Sequence, residues 1–510
     1  MESDRNCAGD HCVPLSPRLE NPDRPDRPEE ACGVFGIRVA PGARSVSHAT
    51  YDGLYALQHR GQESAGMAVS DGTSITVVKN MGLVSNVFDD RTLLTLPGYL
   101  AIGHTRYSTT GSSTWGNAQP VFRSVADSGI ALGHNGNLTN TAELEETLGV
   151  AAEDMRTDSD LVAHYLAQEI KKRLPSEDLR KGYRSHPEVL VQALDVVLPE
   201  LRGAFSLVIM DQDRLVGVRD PHGFRPLCIG ALDGGYVIAS ESPALDVVGA
   251  TFIREVEPGE MVLVDAAGIH SSHPFPESAI DPRLCIFEFV YFARPDALLL
   301  GQEVYGTRRR MGQYLARSAP ADADLVMGVP DSGVPAAVGF AEASGIPYGQ
   351  GLVKNRYIGR TFISPDPASR VDAVRRKLNV LRDNIRGKRL VVVDDSIVRG
   401  TTTKAMVRLL RESGATEVHL RISSPPYKWP CFYGIDTPSR PDLLAAERSI
   451  EEIRDFLGVD SVAYLELADL KAAISRGTSG YCDACLTGRY PVSIPVDLGQ
   501  VAAAAPAPLP

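Results

Sequence analysis

Apolar residues between Cys32 and about Ser272 come in short runs broken by turn residues. Examples are "CGVFGIRV" (32–39), "SAGMAVS" (64–70), "SITVVK" (74–79), "YLAIGHTRY" (99–107), "GIALGHNGNL" (129–138), "AFSLVIM" (204–210), "RLVGVR" (214–219), "GYVIAS" (235–240) and "GEMVLVD" (259–265). Runs of this length and pattern read as strands. Two longer stretches, "DSDLVAHYLAQEIKKRL" (158–174) and "HPEVLVQALDVVLPEL" (186–201), carry helical spacing. Together they predict antiparallel sheets packed with helices over 32–272. After the loop-like "SSHPFPESAIDPR" the rhythm changes. "ADLVMGVP" precedes the helical "GVPAAVGFAEASG", "KRLVVVDDS" precedes "TTTKAMVRLLRESG", and "EVHLRISS" follows. That alternation predicts a parallel α/β sheet over 284–490. No internal repeat links the halves.

The ends do not share these patterns. Residues 1–31 are rich in Pro, Asp, Glu and Arg and hold no apolar core, so they are expected to be disordered and are not a secretory signal. The Ala- and Pro-rich tail, 499–510, is expected to be disordered as well. No run supplies the ~18 apolar residues of a membrane span. A formal net charge of −12 argues against a general nucleic-acid binder. A cytoplasmic location is expected. There the eight cysteines would be reduced, catalytic or metal-bound rather than paired.

The most informative stretch is "RLVVVDDSIVRGTTTKAMVRLL". Leu390–Val393 reads as a buried parallel strand with Asp394 and Asp395 at its carboxyl end, the edge where ligands bind in open α/β sheets. Arg399, Gly400, Thr401, Thr402 and Thr403 then lead into a helix. Helix-start N–H groups, hydroxyls and a glycine suit a monophosphate, and the carboxylates suit ribose hydroxyls and Mg²⁺. A bare Asp pair could equally cap the helix. The Gly-Lys-Ser/Thr ending of a Walker loop is missing.

This string resembles the PRPP-binding signature of type I phosphoribosyltransferases. The resemblance implies that Asp394 and Asp395 meet the ribose and that the following turn holds the 5-phosphate. A second loop, "GVPDSGVP", follows a strand, and there Asp331, Ser332 and Gly333 could offer N–H groups and a hydroxyl to metal-bound pyrophosphate. Residues 354–377 hold seven basic side chains, Lys354, Arg356 and Arg360 among them, against Asp366 and Asp372. A lid that neutralises pyrophosphate and a plain solvated loop both fit that charge.

In the first half, "LQHRGQESAG" (57–66), "GHTRYSTTG" (103–111), "GHNGNL" (133–138) and "TDSD" (157–160) set polar residues against strands. Arg106 could pair with a substrate carboxylate, Asn135 and the backbone of Gly136 could form an oxyanion hole, and Asp158 could bind an amino group. A lone cysteine such as Cys32 is usually an inert core residue. These strings, however, resemble the glutaminase domain of class II amidotransferases, which are N-terminal-nucleophile hydrolases of αββα build. The resemblance implies that Cys32 is the nucleophile and that its own α-amine, freed by removal of a 1–31 propeptide, is the base. That amine titrates near 7.7–8.0, well placed to activate a thiol.

The two domains together resemble the amidophosphoribosyltransferase family, as do "VYFARPDA" (290–297), "NRYIGRTFI" (355–363) and "RRKLNVLR" (375–382). The resemblance implies glutamine and PRPP as substrates, Mg²⁺, purine nucleotides as feedback inhibitors and a homotetramer. A propeptide points to the branch with a [4Fe–4S] cluster, whose ligands would match Cys285, Cys431, Cys482 and Cys485. Zinc on the same ligands and unligated thiols stay open. Cys228 reads as a core cysteine. The competing functions are another class II amidotransferase and a PRPP-sensing regulator; the first lacks a use for the PRPP string, the second for a glutaminase.

Overall fold

Alternation along each strand sends side chains to opposite faces, and in the first half both faces are covered. The computed structural model describes residues 32–107, 114–126, 128–151, 155–174, 186–355, 377–437, 439–474 and 480–494. The leader, the tail and the basic segment from 356 to 376 lie outside them, and so do the propeptide and lid expected there.

The strand Gly33–Val39 is central in a seven-stranded antiparallel sheet, flanked by Leu100–Arg106 and Gly235–Ala239. A six-stranded antiparallel sheet holds Ser128–Leu138 beside Gly203–Met210. Val34, Ile102, Ala131, Val208 and Leu215 fill the layer between the sheets. Phe35, Ile37 and Val39 face the other way, onto the helices Val46–Ala56 and Ser242–Val247. The outer face of the second sheet is covered by Asp158–Arg173 and Glu188–Val197. The result is an αββα sandwich. The stretch 186–201, read as one helix, ends its α-helical part at Val197 and finishes as a 3-10 turn over Leu198–Glu200.

The second half is built on four parallel strands in the order Leu325–Gly328, Arg389–Asp394, Glu417–Ile422 and Ser461–Tyr464. Val391 and Val393 face the helices Val304–Ser318 and Val334–Ser344, whereas Leu390 and Val392 face Thr401–Glu412 and Ile450–Leu457. Burial on both faces explains why Leu390–Val393 is a continuous apolar run.

The halves meet through a buried ladder of charges. His59 and Arg60 both bond Glu241, and Arg60 Nη2 donates to Glu288 Oε2 at 2.5 Å. Arg225 Nη1 reaches Glu288 Oε1 at 3.3 Å. The Arg60, Glu241 and Glu288 side chains are fully buried, so each charge needs its partner. Burial would raise the Glu241 carboxyl, but Arg60 and His59 outweigh it and hold it ionised.

Candidate functional sites

Cys32 stands just before the strand Gly33–Val39, whose register pairs Gly33 with Thr105. One step further along that register brings Cys32 beside Arg106. Ser128–Leu138 of the other sheet supplies Gly136, and the first turn of the helix Asp158–Arg173 supplies Asp158. Cys32, Arg106, Gly136 and Asp158 line one cavity. Asn135, the neighbour of Gly136 in the chain, is fully buried, and among the described residues neither of its amide atoms has a hydrogen-bond partner. Gly136 has φ +148°, and a side chain there would run into the Ala204 carbonyl, so only glycine fits.

Burial pushes the Cys32 thiol up to about 12, with Arg106 opposing. Its Sγ donates to the Tyr107 carbonyl at 3.5 Å. Asp158 is the reverse case. Burial would raise it, but His134 and the N–H groups of Leu138 and Ser159 more than compensate, so it stays ionised. Burial also lowers His104 to about 3, so it is neutral and donates from Nε2 to the His134 carbonyl at 2.9 Å.

Tyr107, Gln119, His134, Thr157 and Ser159 also line the cavity and were not singled out from sequence. Gln119 Oε1 accepts from the His134 N–H at 2.8 Å, and its Nε2 donates to Ser159 Oγ at 3.0 Å. These bonds tie three segments into one wall. His134 and Thr157 fall inside the polar strings already noted, whereas Gln119 falls in none.

In the second half, Asp394 ends its strand and Asp395 follows, bonded through its N–H to Asp394 Oδ1 at 3.0 Å. Asp395 is fully buried, takes a 2.6 Å bond from Ser396 Oγ, and opposes the burial that lowers Arg308 to about 10. Arg399 is half-buried, 3.8 Å from Asp442. Gly400 caps the helix Thr401–Glu412, and Thr401 and Thr402 are exposed on its first turn.

The loop after Leu325–Gly328 docks alongside through the Val329 N–H, which donates to the Val393 carbonyl at 2.9 Å. The Gly333 N–H, expected to face a phosphate, donates instead to the Val329 carbonyl at 2.9 Å, because residues 330–333 form a turn that folds it back just ahead of the helix Val334–Ser344. Asp331 and Ser332 remain at the edge, and Lys354 Nζ pairs with Asp331 at 3.0 Å. Arg356 and Arg360 lie outside the described residues.

A second cavity is lined by Cys285, Cys431, Cys482 and Cys485 together with Arg225 and Tyr433. Parallel pairing of Arg283–Cys285 with Gly480–Cys482 sets Cys285 directly opposite Cys482. Burial raises all four thiols, Cys285 to about 12. Among the described residues, no group of three or more His, Cys, Asp or Glu is arranged to hold a single metal ion. Cys228 packs elsewhere, in the core under the outer helices.

A glutamine amidotransferase domain family matches residues 104–247, and a phosphoribosyl transferase domain family matches residues 301–423. The amidophosphoribosyltransferase of Mycobacterium leprae is 51% identical over 504 residues, which is 96% of this chain and 87% of the relative. A solved structure described as the allosteric regulatory enzyme of purine biosynthesis superposes with a TM-score of 0.82 at 44% identity, covering 91% of this chain and 97% of the other. The glutamine phosphoribosylpyrophosphate amidotransferase from B. subtilis, complexed with ADP and GMP, gives a TM-score of 0.81 at 43% identity, covering 91% and 98%.

Proposed function

The chain belongs to the amidophosphoribosyltransferases, and from that premise we propose how its residues divide the work. The reaction is glutamine + PRPP + H₂O → 5-phosphoribosylamine + glutamate + pyrophosphate, the first committed step of purine biosynthesis.

The glutaminase half works in the Cys32 cavity. Arg106 takes the glutamine α-carboxylate and the ionised Asp158 its α-ammonium group. The Cys32 thiol attacks the γ-carbonyl carbon and its proton passes to the α-amine freed by cleavage between Ala31 and Cys32. The Asn135 amide and the Gly136 N–H stabilise the oxyanion. Ammonia departs with a proton returned by that amine, and water then hydrolyses the thioester to glutamate. One observation carries this reading: four residues from four segments line one cavity, and the buried amide of Asn135, next to Gly136, has no hydrogen-bond partner among the described residues.

The synthetic half binds PRPP at the strand ends. Asp394 and Asp395 hold the ribose hydroxyls, and Arg399, Gly400, Thr401 and Thr402 surround the 5-phosphate. Ser332 and Lys354 face the pyrophosphate. Mg²⁺ fits this edge, since it is usually held by one or two carboxylates and the substrate's own phosphates. When bound, it neutralises leaving-group charge. Ammonia attacks C1 as pyrophosphate leaves.

The four cysteines lining one buried cavity support a [4Fe–4S] cluster, for which four cysteine thiolates are the usual ligands. When bound, the cluster joins the segments around 285, 431 and 482–485. Brown protein with iron and sulfide supports this; colourless protein with one zinc per chain refutes it. The ADP and GMP in the B. subtilis relative support purine nucleotides as feedback inhibitors here too. A cytoplasmic homotetramer completes the proposal; among the described residues no helix is long and apolar enough to cross a membrane. The central test is isotopic. Amide-¹⁵N glutamine should deliver ¹⁵N to phosphoribosylamine in wild type and not in Cys32→Ala, which should still use ammonia.

A further inference from the structure

Gly136 is clamped from two sides. The Ala204 carbonyl of the neighbouring strand closes one side, as described above. The other side is closed by a residue of the synthetic half: a Cβ on Gly434 would lie 2.8 Å from the Gly136 carbonyl carbon and 2.9 Å from its Cα. Gly434 has φ +94°, so its backbone and its surroundings both exclude a side chain.

Two further contacts hold the same segment in place. Asn137 Nδ2 donates to the Phe432 carbonyl at 3.1 Å. Arg225 donates to the Tyr433 carbonyl from Nε at 3.2 Å and from Nη2 at 2.9 Å.

We propose that the segment Cys431–Gly434 is a positioning element for glutamine hydrolysis, with Gly434 setting where the Gly136 backbone stands. This rests on the reading of Gly136 and Asn135 as the oxyanion hole. An oxyanion donor works only when held within a fraction of an ångström of the developing charge. A strand held from one side can drift; Gly434 supplies the second wall. Asn137, next in the chain, pins the strand to the segment through the Phe432 carbonyl. Because the segment begins at Cys431, the contact also links the four-cysteine cavity to the glutaminase strand.

The test uses the processed, full-length enzyme and three variants. Gly434→Ala pushes a methyl group into Gly136. Asn137→Ser removes the bond to Phe432 without altering Gly434. Asn135→Ala tests the oxyanion hole itself. Glutamate release gives kcat and KM, ammonia-dependent synthesis reports the other half, and iodoacetamide alkylation reports the Cys32 thiol, which needs no oxyanion donor. Gly434→Ala should lower glutaminase kcat about 10- to 100-fold, and Asn137→Ser by about 3- to 10-fold, the range expected for displacing a donor rather than deleting it. KM for glutamine, the alkylation rate and ammonia-dependent synthesis should stay near wild type.

Wild-type kcat in both contact variants overturns the proposal. So does a kcat loss accompanied by equal losses in alkylation and glutamine binding, since that marks general damage. Should Gly434→Ala fail to fold, Asn137→Ser decides alone. If Asn135→Ala keeps full kcat, the oxyanion assignment falls; if it collapses kcat while the contact variants do not, only the positioning role falls.

Discussion

The two sites solve opposite problems. The cavity proposed for glutamine hydrolysis is enclosed, with Cys32 only 8% exposed, and its residues come from both sheets of the sandwich. The edge proposed for PRPP is one strand, one turn and one helix, with Thr401 and Thr402 open to solvent. A small amide must be held while a tetrahedral charge forms, so its site needs fixed donors and little water. PRPP brings several charges of its own, so its site needs an accessible edge and backbone N–H groups. An enclosed site depends on its walls, whereas an edge site depends on a short stretch of chain.

The largest effect should come from separating the two. Cys32→Ala should abolish glutamine-dependent synthesis, a loss of about 10³-fold or more, as expected for removing a nucleophile. Ammonia-dependent synthesis should survive. A folded Cys32→Ala protein that has lost both activities would mean that the sites do not work separately.

Next in size is the joint between the halves. Glu288 is fully buried and bonded to both Arg60 and Arg225. Glu288→Ala leaves two arginines facing each other in the interior, and should destabilise the protein by about 3–5 kcal/mol. Replacing an exposed acid such as Glu412, which pairs with Arg408 along the helix, should change stability by less than about 1 kcal/mol. Denaturant midpoints compare the two directly, and equal midpoints would remove the ladder's claim to hold the halves together.

Asp394→Asn should come third, lowering both glutamine- and ammonia-dependent synthesis by about 100-fold through lost ribose or metal contact. Glutaminase activity measured without PRPP should be untouched. A selective loss of the glutamine-dependent reaction would place Asp394 in the wrong site.

The contrast also explains what the sequence disclosed. The strand, acidic pair and threonine turn of 389–403 are contiguous, so pattern and motif coincide. The residues proposed for glutamine hydrolysis are scattered, and only the polar strings around Arg106, Asn135 and Asp158 marked them. Gln119 was missed because its value lies in bonds to His134 and Ser159, which no local pattern reveals. Arg60 and Glu288 lie 228 positions apart, and a buried arginine looks like an exposed one in a sequence. The helix Val46–Ala56 escaped for a different reason. "VSHATYDGLYA" is weakly patterned and holds a glycine, and it is packing of Val46, Ala49 and Leu54 into the core around Phe35 that defines it. The Gly333 N–H is turned back onto the Val329 carbonyl by the turn before the helix Val334–Ser344, a bond that no local pattern reveals.

The smallest effect concerns how the enclosed site acquires its base. With Ala31 still attached, the Cys32 nitrogen is an amide and cannot accept a proton. Burial then holds the thiol near 12, far above the ordinary value of about 8.5. Such a thiol is almost wholly protonated at neutral pH, and its thiolate fraction rises about tenfold for each pH unit below that value. Once the amine is free, it can take the proton, and its own titration near 7.7–8.0 should govern reactivity instead. Iodoacetamide alkylation of Cys32 should therefore climb steadily with pH from 7 to about 10 in a variant blocked at the junction, such as Ala31→Pro. In processed protein it should be faster at pH 7 and level off above about 8. Raising the pH favours both forms, but only the processed one reaches a plateau in this window. Superimposable profiles would show that the amine does not serve as the base, and the thiol would then have to be activated from within the cavity, with the ionised Asp158 and its partner His134 the first groups to test.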